Sequence, residues 1–122
     1  MKILIVDDEE VIRVSLKMIL TKTQSNEIHY ARDGEEAIGK VKDNAYDIVL
    51  LDINMPKLDG YEVLKQIRVS SPNLPVIFIT AAAKADKLMQ SIAKDKLNAF
   101  VEKPFTPEQV QSVVQKAVAR VR

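Results

Sequence analysis

Acidic residues directly follow two apolar segments of the chain. Residues 3–6 run into Asp7 and Asp8, and residues 48–51 run into Asp52. A carboxylate at the end of a buried segment is costly to desolvate unless a cation or a hydrogen-bond donor accompanies it. If the two segments are neighbouring parallel strands, the carboxylates converge. They then form a site for Mg²⁺, which prefers oxygen ligands and keeps positions open for phosphate oxygens.

A hydroxyl and an ammonium group follow two other apolar segments. Thr80 comes after residues 76–79, and Lys103 comes shortly after Phe100. Taken singly, each of these polar residues has an ordinary explanation as a helix cap, a turn residue or a solvated side chain. Together with the carboxylates they predict phosphoryl transfer. A carboxylate can attack phosphorus, a divalent cation offsets the charge, and Lys and Thr hold the remaining phosphoryl oxygens.

Short apolar segments alternate along the chain with segments of helical periodicity. The predicted strands are residues 2–6, 27–31, 47–51, 75–79 and 99–101, and the predicted helices are residues 9–21, 34–42, 59–68, 85–93 and a last one that begins near Thr106. Five repeats of strand and helix predict an α/β fold, a doubly wound (βα)5 flavodoxin-like sandwich around a parallel sheet. The polar second strand and the short fifth strand suit the edges, which gives the order 2-1-3-4-5 with right-handed crossovers.

This strand order predicts where a ligand binds. In doubly wound sheets the site lies beyond the carboxyl ends of the strands, where the strand order reverses. Here that point lies between strands one and three, and Asp7, Asp8 and Asp52 stand at it.

Composition limits the class of protein. The 122 residues are 47% hydrophobic and 29% charged, which predicts one globular domain over residues 1–122. The net charge of +1 gives no bulk attraction to nucleic acid or anionic membrane, and the absence of cysteine excludes disulfides and thiolate metal sites. The sequence has neither a signal-peptide pattern nor an apolar run of membrane-spanning length. We expect a cytoplasmic protein.

Four motifs resemble those of two-component response-regulator receiver domains, particularly the single-domain chemotaxis regulator. They are residues 5–9 (IVDDE), 49–56 (VLLDINMP) with Asp59 and Gly60, 79–81 (ITA) and 100–105 (FVEKPF). The resemblance covers essentially the whole chain. It implies a phosphorylation-activated signalling switch rather than a turnover enzyme. The phosphoryl group would come from a sensor histidine kinase or a phosphotransfer protein, and the signal would pass to a downstream effector protein or output domain.

The resemblance also implies a role for each residue of the site. Asp52 is the phospho-acceptor. Asp8 and Asp52 bind Mg²⁺ through their side chains, Asn54 through its backbone carbonyl, and Asp7 through water.

The remaining implied roles belong to the switch. Lys103 pairs with the phosphoryl group, and the Lys103–Pro104 peptide bond is cis. Thr80 and Phe100 form a switch pair that alters the face made by the fourth predicted helix, the fifth strand and the last helix. One departure concerns residues 93–98, which contain no glycine, so Asn98 becomes a candidate for a left-handed turn residue.

Rival functions of the same fold fit less well. A flavodoxin-type FMN site needs a loop that cradles phosphate, whereas residues 7–10 (DDEE) repel it. A phosphatase of the haloacid-dehalogenase class needs a general acid where Asn54 stands. A histidine phosphotransfer domain is a helical bundle, which the strand pattern excludes. The alternative that remains is a phosphate-independent pseudo-receiver interaction module.

Overall fold

A computed structural model describes residues 1–22, 24–53, 60–81 and 97–120. Its elements are β1 (Lys2–Val6), α1 (Glu10–Thr21), β2 (Glu27–Ala31), α2 (Gly34–Asp43), β3 (Ile48–Asp52), α3 (Gly60–Ser70), β4 (Val76–Ala81), β5 (Asn98–Lys103) and a C-terminal helix (Pro107–Ala119). The helix predicted over residues 85–93 lies outside the described residues, as do Asn54 and the predicted start of the third helix at residue 59.

The five strands of the described ranges form one parallel sheet in the order β2-β1-β3-β4-β5, as predicted. Val6 of β1 pairs with Leu51 of β3, so the next residues of the two strands, Asp7 and Asp52, stand at the same level. Ala81 of β4 pairs with Lys103 of β5 at the same edge. The register therefore brings the carboxyl ends of four strands together.

Helices cover both faces of this sheet, and every residue of β3 is buried. This explains why residues 48–51 show no alternation of polar and apolar side chains. The core on one face joins strand residues to α2 and α3 through Ala37, Val41, Val63 and Ile67. The core on the other face joins them to α1 and the C-terminal helix through Leu16, Leu20, Val110, Val114 and Ala117.

The C-terminal helix begins as its sequence predicts. The Thr106 hydroxyl accepts a hydrogen bond from the Gln109 amide, the Gln109 side chain accepts one from the Thr106 amide, and Pro107 takes the first helical position. This capping box satisfies amide groups that a helix start leaves without partners. It fixes the direction in which the chain leaves β5.

Strand β5 is longer than predicted. The sequence predicts a strand over residues 99–101, whereas β5 runs from Asn98 to Lys103 because its polar residues also pair with β4. Asn98 is the first residue of this strand and pairs with Val76, so its prediction as a turn residue was wrong. Its buried side-chain oxygen accepts a hydrogen bond of 2.8 Å from the Arg68 guanidinium of α3.

Candidate functional site

Three carboxylates meet at the carboxyl edge of the sheet, and we call Asp7, Asp8 and Asp52 the acidic cluster. One oxygen of each lies within 4.8 Å of the others. Asp7 follows β1 and is 1% exposed, while Asp52 ends β3 and is 3% exposed. Asp8 is exposed to solvent. Two desolvated carboxylates and one solvated carboxylate therefore share a single site.

Asp7 is held by hydrogen bonds on most of its polar atoms. Its amide donates to the Ala31 carbonyl at 3.1 Å. Its Oδ1 accepts a hydrogen bond of 2.9 Å from the Glu9 amide. Its buried Oδ2 has no hydrogen-bond partner within the described part of the chain. A buried carboxylate oxygen without a donor is an unfavourable arrangement that a bound cation would relieve.

The donor set fits a hard divalent cation. The acidic cluster offers carboxylate oxygens alone, without the nitrogen or sulfur ligands that zinc prefers. Mg²⁺ binds through one or two carboxylates and completes its shell with waters and phosphate oxygens. The residues present therefore fit Mg²⁺.

Lys103 lies between the two buried carboxylates. Its Nζ is 3.7 Å from Asp7 Oδ2 and 3.7 Å from Asp52 Oδ2, and its side chain is 25% exposed. The Lys103–Pro104 peptide bond that follows is cis. These distances are too long for hydrogen bonds but short enough for strong Coulomb attraction where water is scarce.

Asp7 is a weaker acid than an aspartate in water, chiefly because it is buried. Burial raises its pKa from 3.8 to about 6. The hydrogen bond from the Glu9 amide opposes this rise, the Asp52 charge adds to it, Lys103 opposes it and Asp8 adds to it. The metal-free cluster therefore carries repulsion that one ammonium group does not fully offset.

Thr80 and Phe100 lie on the β4–β5 side of the cluster. Thr80 is fully buried, and its hydroxyl donates a hydrogen bond of 3.2 Å to the Ala81 carbonyl. Phe100 pairs with Phe78, and Thr80 lies two positions after Phe78 on β4. The side chains of Thr80 and Phe100 therefore point to the same face of the sheet. Phe100 is partly buried and packs against the core of that face.

Two further residues have a part in the site, and the sequence analysis gave neither of them a structural role. Arg13 of α1 donates a hydrogen bond of 2.8 Å to the Asp7 carbonyl. Gly60 begins α3, and a Cβ placed there would lie 2.8 Å from Ile53 Cα, so only glycine fits so close to the end of β3. No signal in the sequence distinguishes Arg13 from other helical arginines, whereas Gly60 belongs to one of the motifs.

Comparison with known proteins identifies the family to which the chain belongs. The family model described as the response regulator receiver domain matches residues 3–115. The chain is 36% identical to the chemotaxis protein CheY-3 of Vibrio cholerae, over 99% of this chain and 94% of that protein. It is 38% identical to the alkaline phosphatase synthesis transcriptional regulatory protein PhoP of Bacillus subtilis. That match covers 98% of this chain but 48% of PhoP, so the chain spans about half of that relative's length.

A solved structure shows the same fold. The receiver domain of NtrX from Brucella abortus superposes with a TM-score of 0.87 at 32% identity, over 96% of this chain and 98% of that one. None of the helices in the described part of the chain has the length and apolar character that crossing a bilayer requires. Matches that extend over nearly the whole chain show that this protein belongs to the response regulator receiver domain family of two-component signalling.

Proposed function

We propose that the chain is a phosphorylation-activated switch in which Asp52 accepts the phosphoryl group. The observation that carries this proposal is the position of Lys103, whose Nζ is 3.7 Å from each of the two buried carboxylates. A phosphoryl group on Asp52 would lie next to a cation that the fold already provides. The chain would act as one receiver domain over residues 1–122, in the cytoplasm, as a switch and not as a turnover enzyme.

Residues of the acidic cluster would hold Mg²⁺. We assign its ligands as the side chains of Asp8 and Asp52 and the backbone carbonyl of Asn54, with Asp7 acting through water. When bound, the metal would offset the negative charge that otherwise keeps a phosphate dianion away from carboxylates. The Asp7 Oδ2, which accepts no hydrogen bond within the described residues, and the all-oxygen donor set support this assignment.

The covalent step would take place at the Asp52 carboxylate. One of its oxygens attacks phosphorus, and the bond between phosphorus and the donor atom breaks. The electron pair of that bond leaves with the donor, which is a phosphohistidine nitrogen of a kinase or phosphotransfer protein. Lys103 then pairs with the new phosphoryl oxygens, while Asp7 keeps its backbone hydrogen bonds and holds its charge beside the site.

Transmission would begin at Thr80 and end at a protein partner. The Thr80 hydroxyl, now bonded to the Ala81 carbonyl, would turn to a phosphoryl oxygen. Phe100 would move further into the space behind it. A ligand shifts the populations of two states only if its interaction free energy differs between them. The contacts of Thr80 and Lys103 with phosphate would supply that difference. The changed surface would include β5, the C-terminal helix and the segment predicted as the fourth helix, where an effector protein or output domain would bind.

Intact-mass measurement after treatment with acetyl phosphate and Mg²⁺ tests the acceptor. The wild-type protein should gain one phosphoryl group, and Asp52→Asn should gain none. Asp43→Asn is a matched control, since Asp43 is an exposed acid at the end of α2 and should label like the wild type. Equal labelling of Asp52→Asn and wild type would place the acceptor elsewhere. No labelling of any variant would favour the pseudo-receiver alternative.

A further inference from the structure

Arg13 contacts the backbone of the acidic cluster without belonging to it. The residue is half-buried on α1, and its Nη1 donates a hydrogen bond of 2.8 Å to the Asp7 carbonyl. Hydrogen bonds from a charged donor are roughly twice as strong as those between neutral groups. This bond connects the first turn of α1 to the residue that follows β1.

The Arg13 bond completes the set of contacts that fix Asp7. The Asp7 amide donates to Ala31, its Oδ1 accepts from Glu9, and its carbonyl accepts from Arg13. Its Oδ2 is the buried side-chain oxygen that has no hydrogen bond in the described ranges. Asp7 is therefore held through its backbone and through one oxygen, and the other oxygen is left for the site.

The same bond also affects the next residue. The Asp7 carbonyl and the Asp8 amide belong to one planar peptide unit, so fixing the direction of the carbonyl fixes the direction of the amide. Asp8 is exposed, so packing against other residues does not fix the position of its side chain. Its carboxylate nevertheless lies within 4.8 Å of the carboxylates of Asp7 and Asp52. The orientation of this peptide decides whether an exposed and a buried carboxylate can reach the same cation.

We infer that Arg13 is a positioning residue for the metal site, because its guanidinium holds the Asp7–Asp8 peptide in the orientation that lets both carboxylates face one cation. The inference rests on the proposed function for the identity of that cation. A role through charge alone predicts the opposite effect. A positive side chain near an acidic site repels Mg²⁺, so its removal would tighten binding if charge were its only contribution.

A titration with Mg²⁺, monitored through the amide chemical shifts of Asp8 and Asp52, distinguishes the positioning role of Arg13 from an effect of its charge alone. Arg13→Met should weaken Mg²⁺ binding roughly tenfold, the lower end of the loss seen when residues that orient metal ligands are removed. Arg13→Lys keeps the charge and should recover part of the affinity. Lys17→Met is the matched control, because it removes one positive charge from an exposed position of the same helix and should leave the affinity near wild type. Unchanged or tighter binding by Arg13→Met would overturn the inference.

A second measurement needs no metal. ¹⁵N relaxation of the metal-free protein reports the order parameter of the Asp8 amide, which is about 0.85 for rigid backbone and below about 0.6 for flexible backbone. Arg13→Met should lower this value at Asp8 while the amides of β3 keep theirs, which distinguishes positioning from general destabilisation. An unchanged Asp8 value would overturn the inference. Absence of Mg²⁺ binding by the wild type would count against the proposed function, and the relaxation result would still decide the role of Arg13.

Discussion

Replacing Asp7 with asparagine is expected to stabilise the metal-free protein at neutral pH. Asp7 is buried, and burial is the main cause of the rise of its pKa from 3.8 to about 6. An asparagine keeps an oxygen that can accept the hydrogen bond from the Glu9 amide. It removes the buried charge and its repulsion from Asp52. The substitution therefore removes an electrostatic cost while retaining most of the local contacts.

The size of the effect follows from the pKa. Each tenfold change in proton affinity is worth about 1.4 kcal/mol, so a rise from 3.8 to about 6 corresponds to on the order of 3 kcal/mol. The folded state binds its proton more tightly than the unfolded state does. The contribution of Asp7 to stability is thus fully present below about pH 4 and is lost as pH rises through about 6. Asp7→Asn has no ionisable group at this position, so its stability does not fall in this way as pH rises.

Urea unfolding followed by far-ultraviolet circular dichroism measures the difference, since the chain has no tryptophan to report by fluorescence. With EDTA present, Asp7→Asn and wild type should have similar midpoints at about pH 4. At about pH 8 the variant should unfold at a midpoint roughly 1–2 M higher. Asp43→Asn, at an exposed position, should not show this pH dependence. Saturating Mg²⁺ should narrow the gap, because binding to the folded state stabilises the wild type.

One result would refute the reasoning directly. If Asp7→Asn is less stable than wild type at about pH 8, or if the difference between them does not change with pH, the buried charge is not a cost to the metal-free fold. The arrangement of Asp7, Asp52 and Lys103 would then be a stabilising ion cluster, and the lack of a hydrogen bond to Asp7 Oδ2 would not need a bound cation to explain it.

Three further predictions concern glycine, the switch and the ammonium group. Gly60→Ala should lower stability by about 1–3 kcal/mol, because the added Cβ would lie 2.8 Å from Ile53 Cα. Gly39→Ala should raise stability by about 0.5–1 kcal/mol, because a Cβ at Gly39 would meet no atom within 4 Å beyond its chain neighbours and its own helix backbone. Thermal unfolding of both variants checks this pair, and two changes of the same sign would contradict it. Beryllofluoride, a phosphoryl mimic, should shift the amides of residues 97–116 more than those of α2, and shifts confined to the acidic cluster would show binding without transmission. Lys103→Ala should still accept phosphate slowly, as mass measurement would show, but should lose the beryllofluoride shifts in β5, and retained shifts would exclude Lys103 from the coupling.

The sheet was predictable because the residue pattern within each strand shows whether that strand is central or at an edge. The unbroken apolar run of β3 shows that both faces are covered, and the polar character of β2 marks it as an edge strand. The strand ends then follow from the parallel order, which explains how the sequence could group Asp7 with Asp52. The length of β5 was less predictable, because pairing with β4 extends the strand through Asn98, Glu102 and Lys103. Tertiary hydrogen bonding decided those positions against their local preference.

Arg13 and Asn98 show what a sequence pattern leaves out. Both depend on how closely two packed elements approach each other. Arg13 reaches the end of β1 only because α1 packs against the sheet, and Asn98 has a partner only because α3 ends beside the start of β5. Residue types and spacing describe one element at a time. They do not give the separation between two packed elements to within the length of a hydrogen bond.

The bond between Arg68 and Asn98 has a consequence for how β5 can move. The start of the strand is anchored, since Asn98 accepts a bond of 2.8 Å from α3 and the carbonyl before it accepts one of 3.1 Å from Val76. The other end bears Lys103, whose ammonium responds to the charge of two carboxylates. Sliding of β5 along β4 would break both bonds at the Asn98 end, so we expect β5 to keep its register with β4 when the charge at the site changes. A change of charge at the site would therefore act first on the Lys103 end of β5, and the bonds at Asn98 would limit how far the start of the strand moves.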